Sequence, residues 1–132
     1  MPLHPAYFET RFRCDGPIPM WPACFAIISA GATTGERWDP AREAAADARL
    51  LATIRAHGVW HARVTGYSPT TGHAEPSWAV ALPLPTACAL GATFAQDAIY
   101  WVDGDALVVG RCTGDPTWEP VGAFRARVDR ND

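Results

Sequence analysis

Hydrophobic and polar positions divide the chain into strand-like and helix-like segments. From Tyr7 to Cys14, Tyr7, Phe8, Thr10 and Phe12 are set against Glu9, Arg11 and Arg13, the pattern of a half-buried strand at a sheet edge. Regular structure then breaks at Asp15 to Pro22, where Pro17, Pro19 and Pro22 fix φ and remove donors. Phe25-Ala26-Ile27-Ile28-Ser29-Ala30 is apolar almost throughout and ends at Gly31, which suits a central strand covered on both faces. Asp39-Pro40 opens an Ala-rich helix running to Gly58, with Asp39 as cap and Pro40 at the first helical position. Its inward stripe is expected at Ala41, Ala44, Ala45, Ala48, Leu51 and Ala52, with Arg55 beside it.

Val59 to Gly66 and Ser77 to Leu82 read as strands joined by the polar loop Tyr67 to Pro76. A second helix starts near Pro85, with Ala87, Leu90, Gly91 and Phe94 on one face. Ala98 to Val102 and Ala106 to Val109 flank Asp103-Gly104, the signature of a hairpin with a type I′ turn. After Gly114, Pro116 and Pro120, a last strand is expected from Val121 to Val128.

From Phe25 onward this order is β-α-β-β-α-β-β, preceded by one strand. It predicts an α+β fold: a ferredoxin-like split βαββαβ sandwich with extra edge strands and two helices on one face of an antiparallel or mixed sheet. The order of strands within the sheet stays open. Residues 1–132 are read as one domain with its core at about 25–112, flanked by strand-like or irregular extensions at 1–24 and 113–132.

Composition fits a globular chain, with 48% hydrophobic and 19% charged residues and a formal net charge of -3. Every basic side chain among the 11 is Arg, a bias that fits a GC-rich bacterial genome. These arginines are scattered, so nucleic-acid binding has no basic stripe behind it. The start of the sequence has no secretory pattern, and no apolar run approaches the roughly 18 residues of a membrane helix. The expectation is therefore a cytoplasmic protein that neither contacts nor crosses a membrane. Cys14, Cys24, Cys88 and Cys112 are then reduced thiols.

Phe25 to Ala30, the segment Gly72 to Val80 containing His73, Glu75, Ser77 and Trp78, and Leu90 to Ile99 containing Gln96 together resemble a small bacterial family catalogued as domain of unknown function 3293. The resemblance spans about Phe25 to Cys112. It implies no established activity, but it points to Glu75 and Gln96. In that family an Asn-Pro pair usually follows the first strand; Gly31-Ala32-Thr33-Thr34-Gly35 stands here instead.

Glu75 is the leading candidate because Pro76 holds it in extended backbone just before a strand. Partial burial would make it a general base, with His73 as partner or competitor; otherwise it is a solvated loop carboxylate. Gln96 closes the second helix, where its amide can bind a ligand or satisfy loose backbone groups. Ser77 and Arg111 complete the ligand-binding candidates, Arg111 and Arg63 being strand guanidiniums able to hold a carboxylate or phosphate.

The catalytic signatures looked for are absent. His73-Ala74-Glu75 lacks the Pro-Cys-x-x-Cys half of a zinc deaminase, and His57 and His61 are separated by Gly58, so neither a metal nor another cofactor is expected. No nucleophile elbow occurs, and Gly31 to Gly35 lacks the Lys of a phosphate loop.

The chain also carries 6 Trp, many for its length. Trp60, Trp78 and Trp101 are candidates for an aromatic contact surface on an open sheet face, facing a protein partner or a second copy. The residues thus support a non-catalytic binding module for a protein partner or small molecule. The alternatives are a small enzyme using Glu75 on a small polar substrate, and a structural or regulatory subunit.

Overall fold

The computed structural model describes residues 3–16, 18, 20–32, 37–112 and 117–129. Its strands are β1 (Arg11–Cys14), β2 (Cys24–Ser29), β3 (His61–Tyr67), β4 (Ala74–Val80), β5 (Ala98–Asp103), β6 (Ala106–Arg111) and β7 (Glu119–Ala123). Helix α1 (Pro40–His57) separates β2 from β3, and α2 (Leu84–Thr93) separates β4 from β5. Pro17, Pro19, residues 33–35 of the Gly31 to Gly35 turn, and Gly114 and Pro116 lie outside the described residues.

All seven strands form one sheet in the order β1-β3-β4-β2-β5-β6-β7, and each neighbouring pair is antiparallel. Strand alternation sends Ala26, Ile28, Trp78, Val80 and Ile99 to one face, where they pack with Ala46, Leu50 and Ile54 of α1 and with Ala87 and Leu90 of α2. The opposite face carries Phe12, Phe25, Ile27, Val64, Ala79, Tyr100, Val102, Leu107, Val109 and Phe124. These residues come from both edges of the sheet and still touch: the rings of Phe12 and Phe124 are 5.6 Å apart. That contact requires the sheet to curl.

Residues after β7 complete the curl. Val128 forms a parallel bridge with Phe12, and Asp129 N–H donates to the Phe12 carbonyl at 2.8 Å. The Arg127 guanidinium donates to the Phe8, Thr10 and Val121 carbonyls, tying the far edge to the residues before β1.

The ferredoxin-like sandwich is thus overturned in favour of a mostly β architecture, seven antiparallel strands curled into a half-barrel with two helices. The physical reason is the second apolar face. A two-layer sandwich leaves one side of its sheet open, whereas each large aromatic on this side gains roughly 1.5–3 kcal/mol by leaving water. Curling the sheet, with β1 and β7 added at opposite edges, is what buries them.

Several local expectations also change. Tyr7 lies in a 3-10 turn, Pro5–Phe8, so β1 begins only at Arg11. The last strand ends at Ala123, followed by a 3-10 turn at Arg125–Arg127. In α1, Asp39 caps the Arg42 N–H at 2.9 Å and Gly58 ends the helix in the left-handed region at φ +66°. The buried stripe of α1 is Ala46, Leu50 and Ile54, while Ala41, Ala44, Ala45, Ala48 and Ala52 face solvent. Alanine occurs on every side of this helix and cannot mark its inner face; the larger Leu50 and Ile54 do. In the β5–β6 hairpin Asp103 pairs with Ala106, so the turn residues are Gly104 and Asp105. Only Gly104 has positive φ, which suits type II′ rather than I′.

Candidate functional site

The concave face has two unlike ends. At the end where β2 and β3 begin, Trp21, Phe25, Trp60 and Phe124 form a ring cluster with centroid separations of 5.0 to 6.0 Å. At the other end the last concave-facing residue of β2 is Ser29, the polar residue that interrupts its apolar run. Strand β4 continues past Ser77, the partner of Ser29, so that Glu75 and Pro76 overhang the end of β2. A proline is tolerated there because β2 no longer needs a donor from it.

Glu75, Ser29 and Gln96 meet at this overhang. Ser29 Oγ lies 3.0 Å from Glu75 Oε1 and 2.9 Å from Gln96 Oε1. The Gln96 amide nitrogen donates to the Gly31 carbonyl at 3.0 Å and to the Phe94 carbonyl at 3.2 Å. Helix α2 aims Gln96 by its termination. Ala95 is in the left-handed region at φ 57°, the one non-glycine with positive φ among the described residues, and the Gln96 N–H returns to the Gly91 carbonyl at 2.9 Å. This is a Schellman-type ending with Ala where Gly is usual, at a cost of about 1 kcal/mol or more.

Burial pushes the Glu75 carboxyl above the usual carboxylate range. Ser29 opposes that rise only when its single proton is turned to Glu75 and away from Gln96; the charge of His73 opposes it as well, and the carboxylate of Glu43 adds to it. Glu43, in the first turn of α1, accepts the Ala32 N–H at 3.1 Å, and a Cβ on Gly31 would collide with its other oxygen. Gly31 is therefore needed for this close approach. Tyr100, also on the concave face, donates to the Tyr7 carbonyl at 2.7 Å, and burial raises its pKa.

Glu75 Oε2 has no hydrogen-bond partner among the described residues. One end of the sheet thus presents a half-buried carboxyl with one oxygen anchored and one outward.

The remaining candidates are dispersed. His73 is exposed in the loop before β4 and acts on Glu75 through its charge. Ser77 is buried at 6% exposure and donates to the Glu75 carbonyl, so its hydroxyl is used within its own strand. Arg111 ends β6 opposite Ala98, three strands along from Glu75. Arg63 makes a two-pronged pair with Asp47 of α1, donates to the Ser77 carbonyl and lies 3.8 Å over the Trp78 ring. It holds α1 to the sheet.

The three tryptophans occupy two cores rather than one open face. Trp78 is only 9% exposed and gives its indole N–H to Asp47; Trp101 flanks the helix-side core; Trp60 flanks the concave one. Among the described residues, no three His, Cys, Asp or Glu side chains are grouped to hold a metal, and no helix is long and apolar enough to cross a membrane.

Sequence reasoning missed Ser29 and Glu43. The signal for Ser29 was available: it is the single hydroxyl in an otherwise apolar strand, in step with Phe25 and Ile27. Glu43 carried no comparable signal in its helix.

The protein is thus a curled antiparallel sheet with helices on its convex face and an acid–hydroxyl–amide triplet at one end. The chain belongs to the family of proteins of unknown function DUF3293, whose profile matches residues 29–99. That span is shorter than Phe25 to Cys112, yet it contains Ser29, Glu43, Glu75 and Gln96. No curated protein and no solved structure matches the chain.

Proposed function

We propose that the protein binds a small polar ligand at the end of the curled sheet, on Glu75 as held by Ser29 and Gln96. The observation that carries this reading is Glu75 Oε2: the neighbouring hydroxyl and amide are all engaged internally, and this one oxygen of a half-buried carboxyl has no partner among the described residues. A carboxyl with one oxygen fixed and the other unpaired offers a positioned polar group of the kind that orients a bound small molecule. The dispersal of Trp60, Trp78 and Trp101 gives less support to an aromatic docking face.

Titrating the labelled protein with pools of small polar metabolites tests the proposal. Amide resonances of Ser29, Gly31 and Gln96 should move in the natural sequence and stay still in Glu75→Ala. Shifts confined to the cleft between Phe8, Arg11, Thr70 and Arg127 would sink it.

A second reading rests on the raised proton affinity of Glu75, which suits a general acid acting on the bound molecule. In that case Glu75→Gln should retain binding and lose turnover.

A further inference from the structure

We infer that Glu75 is a neutral carboxylic acid in the folded chain, donating its proton to Ser29, and that the site therefore takes ligands presenting N–H or O–H groups and rejects anions. The second half rests on the binding role proposed above; the first does not.

The protons available to Glu75, Ser29 and Gln96 fix this form. Gln96 has one workable orientation, because its nitrogen faces the Gly31 and Phe94 carbonyls. Turning the amide over would set an oxygen against both and leave two carbonyls without donors. Gln96 Oε1 consequently points at Ser29 and can only accept. Ser29 has a single hydroxyl proton, which goes to that oxygen at 2.9 Å. The 3.0 Å contact between Ser29 Oγ and Glu75 Oε1 still needs a proton between its two oxygens, and Glu75 is the group that can supply it. An ionised Glu75 would draw the Ser29 proton to itself and leave Gln96 Oε1 facing a lone pair. Ser29 can stabilise the carboxylate only by abandoning Gln96.

The surroundings favour the same form. Glu75 faces Ser29 of β2, Glu43 of α1, His73 in the preceding loop, Gln96 after α2 and Tyr100 of β5. Of these, Glu43 repels a second negative charge, and His73, the one basic group, is exposed to water.

With its proton directed inward, Glu75 offers Oε2 outward as an acceptor. Gln96 and Ser29 have no hydrogen left to give, and Glu43 contributes further acceptor oxygen at the same end of the sheet. Phosphates and carboxylates would meet lone pairs. A hydroxyl, amide or amine would meet an acceptor.

Carbon-detected NMR of the carboxyl groups tests the protonation, the Glu75 signal being identified by its loss in Glu75→Gln. At about pH 7, well above the ordinary Glu pKa of ~4.3, it should hold the shift of a protonated acid; an ionised shift there overturns the inference. Ser29→Ala, which removes the proton acceptor, should move that titration to lower pH. For the ligand class the probes are acetamide and methylammonium against inorganic phosphate and acetate, read at the Ser29, Gly31 and Gln96 amides. The first pair should shift them and the second should not; a shift with phosphate overturns the ligand class. If no probe shifts them while Glu75 stays protonated, the binding role falls and the proton assignment stands.

Discussion

The two ends of the concave face are built from the same strands by opposite means. One end is closed by rings: Phe25 is fully buried and packs against Trp21, Trp60 and Phe124. The other is closed by a chain of hydrogen bonds from Glu75 through Ser29 to Gln96, ending on two backbone carbonyls. Ring packing is non-directional and tolerates small shifts. A hydrogen-bond chain works only if every member keeps its partner and its proton. The aromatic end is suited to stabilising the fold, and the polar end to fixing positions and protonation.

The largest expected effect lies at the aromatic end. Phe25→Ala should cost about 3–5 kcal/mol in denaturant unfolding, since it opens a cavity among three other rings. A loss below about 1 kcal/mol would mean that this end does not anchor the sheet. At the polar end Gln96→Ala should cost less, about 1–3 kcal/mol, through the two carbonyls whose amide donor it removes. If it equals or exceeds the loss in Phe25→Ala, the division of labour is reversed.

Smaller effects separate the ends by pH. Folded Glu75 holds its proton more tightly than the unfolded chain does, so its contribution is complete below the ordinary Glu pKa and is lost as pH rises through the higher folded value. Stability should fall over that window by at most about 1.4 kcal/mol per pH unit. Glu75→Gln should flatten this slope, and Phe25→Ala should leave it unchanged. Smallest is a gain: Ala95→Gly should stabilise by about 1 kcal/mol or less, by relieving the left-handed backbone before Gln96. No gain in the thermal midpoint would argue against strain at this end.

Much of the fold was legible because each element carries its own local signal. Pro40 after Asp39 and Gly58 after His57 marked α1, and the apolar runs on either side of Asp103-Gly104 marked β5 and β6. The curl was not legible, since it depends on Phe12 meeting Phe124 and Val128 from far along the sequence. The site shows the same limit. Glu75 and Gln96 were each visible as polar residues at element ends, but Ser29, which joins them, lies 46 positions from one and 67 from the other. No periodicity reports a contact of that span, and Arg111, a similar candidate by sequence, ends on a different strand.

The bridge between Phe12 and Val128 also constrains how the chain is made. Arg11 and Asp129 are 118 positions apart and yet pair across it. During synthesis β1 must wait for residues 124–129 to leave the ribosome before its outer edge is covered. Contacts of such long range form slowly, so the nascent chain carries an exposed Phe12 edge until that segment arrives. Chaperone engagement of this protein should therefore concentrate on β1 and end when residues 124–129 emerge.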